Sequence, residues 1–155
     1  MGHRYYIPSY LSLGLLSFLL IKEYKFKRLL YIGLLSCLIL GNFIVYPDSF
    51  AQGWNCSLAH LPYWGLREKA IEYMDQEQLP ISETASFFPN IATVDNVVLN
   101  GDMRSFREFS GNEKYVFYSN VYNLNDEDLK SLNQNYHRLK LFEKCKVRIE
   151  IMERK

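Results

Sequence analysis

The chain has 155 residues, 18 Lys and Arg against 17 Asp and Glu, and is 48% hydrophobic and 15% aromatic. Residues 1–46 carry five cations (Arg4, Lys22, Lys25, Lys27, Arg28) against Glu23 alone, whereas residues 47–155 carry 13 against 16 acidic residues. This argues against a single soluble domain, because the first third is nearly continuous apolar sequence. It also excludes a disordered chain, which would lack these aromatics, and a nucleic-acid binder, which needs clustered cations.

Two apolar runs open the chain, residues 5–21 (YYIPSYLSLGLLSFLLI) and 29–46 (LLYIGLLSCLILGNFIVY), and neither holds a charge. As helices of 17 and 18 residues they would reach roughly 26–27 Å, close to the ~30 Å hydrocarbon core of a bilayer. They predict a membrane α-helical hairpin of two transmembrane helices over 1–46. Tyr5, Tyr6, Tyr10, Tyr31 and Tyr46 stand at or near the ends, where amphipathic rings settle at headgroup level. Gly14, Ser17, Gly33, Ser36 and Gly41 offer small surfaces for close helix approach. The connector 22–28 (KEYKFKR) holds four cations and one anion, and such short basic loops stay cytoplasmic. The expected topology is out–in–out: a multi-pass protein of the cell membrane, contacting the lipid bilayer, with everything after Tyr46 extracytoplasmic (periplasmic). No small-residue cleavage site follows the first run, which argues against a signal peptide. Leu34-Leu35-Ser36-Cys37 has the look of a lipoprotein processing box, but apolar Leu38-Ile39-Leu40 follows where a mature lipoprotein turns polar. Cys37 reads as a small apolar residue within a helix.

Residues 47–62 (PDSFAQGWNCSLAHLP) form a juxtamembrane connector, with Phe50 and Trp54 suited to an interface. An extracytoplasmic α/β domain with a mixed sheet follows over 63–155, long enough for its own core. A helix is expected over 63–78, entered at Pro62, with Leu66, Ala70, Tyr73, Met74 and Glu77 on one face and Leu79-Pro80 ending it. A strand is expected over 83–88, stopped by Pro89-Asn90. Residues 91–112 read as irregular, with turns at Asn100-Gly101-Asp102 and Ser110-Gly111-Asn112. A second strand spans 114–121 (KYVFYSNV). Asn125 caps a short helix with Asp126, Glu127 and Asp128 in its first turn, and Leu129 and Leu132 on its buried side. Strands over 137–143 and 147–152 close the chain, joined at Lys144-Cys145-Lys146, with Val147, Ile149 and Ile151 opposite Arg148, Glu150 and Met152. The order predicts a parallel portion around a crossover helix and an antiparallel edge.

Chemistry is sparse. There is no phosphate loop, nucleophile elbow or paired-cysteine metal motif, and no cofactor is implied. Cys56, His60, His137 and Cys145 could meet at a metal only by long-range folding. Cys56 and Cys145 could bridge in an oxidising compartment or remain separate thiols. Asn55-Cys56-Ser57 is a glycosylation sequon. Asp102 with Arg104 and Arg107 is the most chemically suggestive group. Two arginines three apart beside a glycine turn are candidates for anion contact, clamping a phosphate or carboxylate; a solvated loop with surface ion pairs is the alternative.

Several stretches together resemble a known region: Tyr46-Pro47, Ala51-Gln52-Gly53-Trp54, Leu58-Ala59-His60-Leu61-Pro62-Tyr63, Leu66-Arg67-Glu68-Lys69-Ala70, Phe87-Phe88-Pro89-Asn90, Leu99-Asn100-Gly101-Asp102 and Tyr115-Val116-Phe117-Tyr118-Ser119-Asn120. They resemble the C-terminal end of bacterial multi-spanning membrane glycosyltransferases of the protein-mannosyltransferase-like type. That family takes a sugar from a polyprenyl-phosphate carrier outside the cytoplasmic membrane. The resemblance implies a C-terminal module of a lipid-linked-sugar-dependent glycosyltransferase without the catalytic core, since the family's catalytic acid lies near N-terminal helices that have no counterpart here. No catalytic residue carries over, and the chain alone is expected not to be catalytic. The implied partners are a missing catalytic membrane subunit or N-terminal part and a polyprenyl-phosphate sugar, with no nucleic acid. Trp54, His60 and Trp64 are the residues expected to form a docking surface. The alternative is a non-enzymatic, membrane-anchored interaction module at the outer face of the membrane.

Overall fold

The computed structural model describes residues 7–41, 43 and 58–155. The chain divides into two units, Met1–Asn42 and Phe43–Lys155.

In the first unit, α1 (Ile7–Ile21) and α2 (Lys27–Gly41) are 15 residues each. Tyr31 Oη donates to the Phe18 carbonyl at 3.2 Å, and the two rings stack at 5.6 Å. These helices correct the expectation of a transmembrane hairpin. Fifteen residues rise only about 22 Å, short of the ~30 Å core. Among the described residues no helix is long and apolar enough to cross a membrane. α2 begins on Lys27 and Arg28, so its regular turns include two cations that the apolar run counted in the sequence left out. The out–in–out topology and the multi-pass placement rested on two spans and fall with them.

The second unit is built on a five-stranded mixed sheet of order β2-β1-β3-β5-β4. Its strands are β1 (Thr84–Ser86), β2 (Arg107–Glu108), β3 (Tyr115–Ser119), β4 (Tyr136–Lys144) and β5 (Val147–Arg154). β1 runs parallel to β2 and β3, while β5 runs antiparallel to β3 and β4. The mixed sheet with an antiparallel edge is therefore as expected. The parallel part differs, because β1 and β3 are linked through a short α4 (Asp95–Val98) and β2, both in the segment read as irregular. The crossover helix α5 (Asp126–Asn135) instead joins β3 to β4, which run the same way with β5 between them.

α3 (Pro62–Gln76) starts on Pro62, whose fixed φ suits a first helical turn. It ends where Gln78 takes a left-handed φ of 56°. There the Gln78 and Leu79 amides donate to the Asp75 and Met74 carbonyls at 3.2 and 2.8 Å, so the last carbonyls are satisfied. The helix buries Tyr63, Leu66, Arg67, Ala70, Ile71 and Met74 and packs across β5 and β4. Tyr73 is only half-buried and Glu77 is exposed, so the buried face is turned toward Arg67 and Ile71 from the face expected.

Strand alternation decides the two faces of the sheet. Val147, Ile149 and Ile151 are all fully buried, and Phe117 and Ser119 lie opposite Ile151 and Ile149. On the other face Tyr118 lies opposite Glu150, and Val116 opposite Met152. α5 is started by Asn125, whose side chain accepts from the Asp128 amide at 2.7 Å. The β4–β5 turn is two residues, Cys145 and Lys146, at φ 51° and 67°, the backbone that matches the twist of a tight hairpin.

Candidate functional site

The Asp102 group is assembled, but as a strut. Arg104 forks onto the Asp75 carboxylate through Nη1 and Nη2, and onto Asp102 through Nε at 2.9 Å and Nη2 at 2.7 Å. The Arg104 amide also donates to Asp102 Oδ1 at 3.0 Å. The Arg104 side chain, through its hydrogen bonds, holds the Asp102 carboxyl below the usual carboxylate range. Asp75 closes α3 and Asp102 leaves the glycine turn, where Gly101 stands at φ 78°, so the strut ties loop to helix. Arg107 is not brought into this group: its Nε donates to the Ser82 carbonyl at 2.8 Å. The two arginines form no common clamp, and Arg104 has its charge already met by two carboxylates.

Of the docking residues, Trp54 lies outside the described residues, as do Asn55, Cys56 and residues 47–57 of the connector. His60 ends a 3-10 turn at Leu58–His60 and meets Trp64 edge-on at 6.2 Å. Trp64 in turn meets Tyr63 at 5.0 Å and remains 43% exposed. The ladder His60–Trp64–Tyr63 is thus formed. Among the described residues no group of three His, Cys, Asp or Glu is placed to hold a metal. Cys145 is exposed with a free thiol.

Two features escaped the sequence. The first is a buried polar cluster beneath α3. Tyr63 and Tyr122 join hydroxyls at 2.6 Å. Arg67, 1% exposed, donates through Nε to Asn90 Oδ1 at 2.6 Å. Asn90 Nδ2 donates to Ser86 Oγ at 3.0 Å, and Ser86 Oγ to the Phe117 carbonyl at 2.9 Å. Burial pushes the Tyr63 hydroxyl up to about 12, against the opposing pull of Tyr122 and Arg67. Burial likewise raises Tyr122 well above its ordinary value. The i, i+4 spacing of Tyr63 and Arg67 on one helix face was the available signal.

The second is a cleft of about 250 Å³ between α5 and the outer face of the sheet. Leu129, Leu132 and Met152 give its apolar part, and Tyr118, Asn133, Arg148 and Glu150 its polar part. Arg148 Nε and Arg138 Nη1 approach Glu150 Oε1 at 3.4 and 3.8 Å. Asn120 Oδ1 accepts from the Arg148 amide at 2.9 Å and its Nδ2 donates to the Lys146 carbonyl at 3.0 Å, fixing this end of the cleft to the hairpin. Alternation of Arg148, Glu150 and Met152 along β5 placed these side chains on one face. What covers that face depended on where α5 lands.

No family model matches this chain, and no curated protein and no solved structure is similar to it.

Proposed function

We propose that the α/β unit is a non-catalytic saccharide-binding module, working beside the catalytic part of a glycosyltransferase that uses polyprenyl-phosphate-linked sugars. The observation that carries the reading is the cleft under α5, where an aromatic ring, a carboxylate, a guanidinium and an amide share one opening beside apolar side chains. A pyranose offers the complementary chemistry: hydroxyls that both donate and accept, and a C–H face that packs on a ring. The volume lies just below the ~300–1,000 Å³ of clefts that take drug-sized molecules, which suits a single sugar ring. The likeness of the segments around Trp54, Phe87-Phe88-Pro89-Asn90 and Tyr118 to a glycosyltransferase tail supports the same reading. Its place would be the outer side of the cytoplasmic membrane, where that family works. Bond-making belongs to the partner, and this chain holds the acceptor or the carried sugar.

The test is saturation-transfer NMR of the full chain against a panel of free hexoses. A binder should appear whose signal Tyr118→Ala removes while the far-ultraviolet circular dichroism is unchanged. No binder in the panel, or turnover of a polyprenyl-phosphate hexose by the chain alone, overturns the reading. The exposed side chains of Phe88, Leu99 and Met103, at 76%, 85% and 72% exposure, favour a second reading in which the module binds a protein; a chain that takes no sugar but retains a purified catalytic partner would select it.

A further inference from the structure

We infer that Arg67 is the seat of an internal site for a small monovalent anion, of the size and charge of chloride. The inference is independent of the cleft and of what the cleft binds. Arg67 is 1% exposed, on the core face of α3. Its Nε is satisfied by Asn90 and its charge pulls on the Tyr63 hydroxyl, but Nη1 and Nη2 are closed off from solvent with no hydrogen bond of good geometry among the described residues. Four N–H donors and a full positive charge are therefore left in the interior, an arrangement that costs several kcal/mol unless something compensates it.

The neighbours do not offset the charge. Asn90, Ser86, Tyr63 and Tyr122 are all neutral; the Tyr63 hydroxyl oxygen faces the guanidinium and Asn90 accepts from its Nε, but neither brings a negative charge. Asp102 is a carboxylate that feels the Arg67 charge, but it is taken by Arg104. Both tyrosine hydroxyls are donors, and one of them has its proton still to place once the 2.6 Å bond is made. The cluster is thus rich in donors and short of one negative acceptor. A water molecule would answer the hydrogen bonds but not the charge. An anion answers both, and the enclosure of the guanidinium limits it to a small one.

The experiment is thermal unfolding of the full chain at constant ionic strength, with potassium chloride replaced stepwise by potassium gluconate. Tm should rise by roughly 3–6 °C for each tenfold rise in chloride above its dissociation constant. Arg67→Met should abolish that slope. A flat wild-type response overturns the site, and so does an equal slope in Arg67→Met, which would place the anion on the surface. If Arg67→Met does not fold, chloride-35 linewidths decide. Wild-type protein should broaden the free-chloride signal and Tyr122→Phe should broaden it less; no broadening by the wild type refutes the proposal.

Discussion

Replacing Arg104 by methionine separates a strut from an anion clamp. The substitution keeps most of the aliphatic stem and removes the forked bonds to Asp75 and Asp102. Arg104 and Asp75 are 44% and 45% exposed, whereas the Asp102 side chain is only 16% exposed. Exposed pairs contribute ~0.2–1 kcal/mol each. Two forked pairs, one of them sheltered, put the set at about 1–2 kcal/mol, equivalent to a fall in Tm of roughly 2–8 °C for a chain of this size. The effect has a defined pH dependence. The folded-state pKa of Asp102 is depressed by Arg104, so its contribution is present above the unfolded carboxylate value of about 3.9 and is lost as pH falls through the lower folded value. The difference between wild type and Arg104→Met should therefore be full at pH 7 and shrink below about pH 4. Thermal unfolding of the full chain, with and without inorganic phosphate, reads both points. Phosphate should shift neither protein. A variant with wild-type Tm, or phosphate stabilising the wild type alone, would refute the strut.

Three further outcomes are expected. Tyr63, raised by burial to about 12, stabilises the fold fully below pH 10 and less as pH climbs through its folded value, so ultraviolet titration of phenolate should show a late-titrating tyrosine that appears together with unfolding. Asn125→Ala removes the bond to the Asp128 amide and should cost about 1 kcal/mol, with faster hydrogen exchange in the first turn of α5 and unchanged exchange in β5. Gln78→Gly relieves a left-handed φ of 56° at the end of α3 and should raise stability by roughly 0.5–1 kcal/mol in urea unfolding.

What was readable in the sequence was what depends on near neighbours. Pro62, the Asn125 cap and the period-2 alternation of Val147, Ile149 and Ile151 each act within a few residues, and α3, α5 and β5 follow from them. The apolar runs at the start failed for a related reason: letters report transfer preference but not where backbone bonding stops, and α1 and α2 stop after 15 residues. The candidate sites were hidden because they form across the fold. Ser86 belongs to a three-residue strand, Asn90 to the turn after it and Tyr122 to the turn after β3. Only the parallel pairing of β1 with β3 brings them beneath Arg67. An arginine on a mostly apolar helix face, one turn after Tyr63, is therefore the local sign of that interior. Leu66, Ala70, Ile71 and Met74 surround Arg67 in the buried set, so a residue type rarely buried without a partner sits where a leucine would have packed. That mismatch between local preference and position is what a buried polar cluster leaves in a sequence.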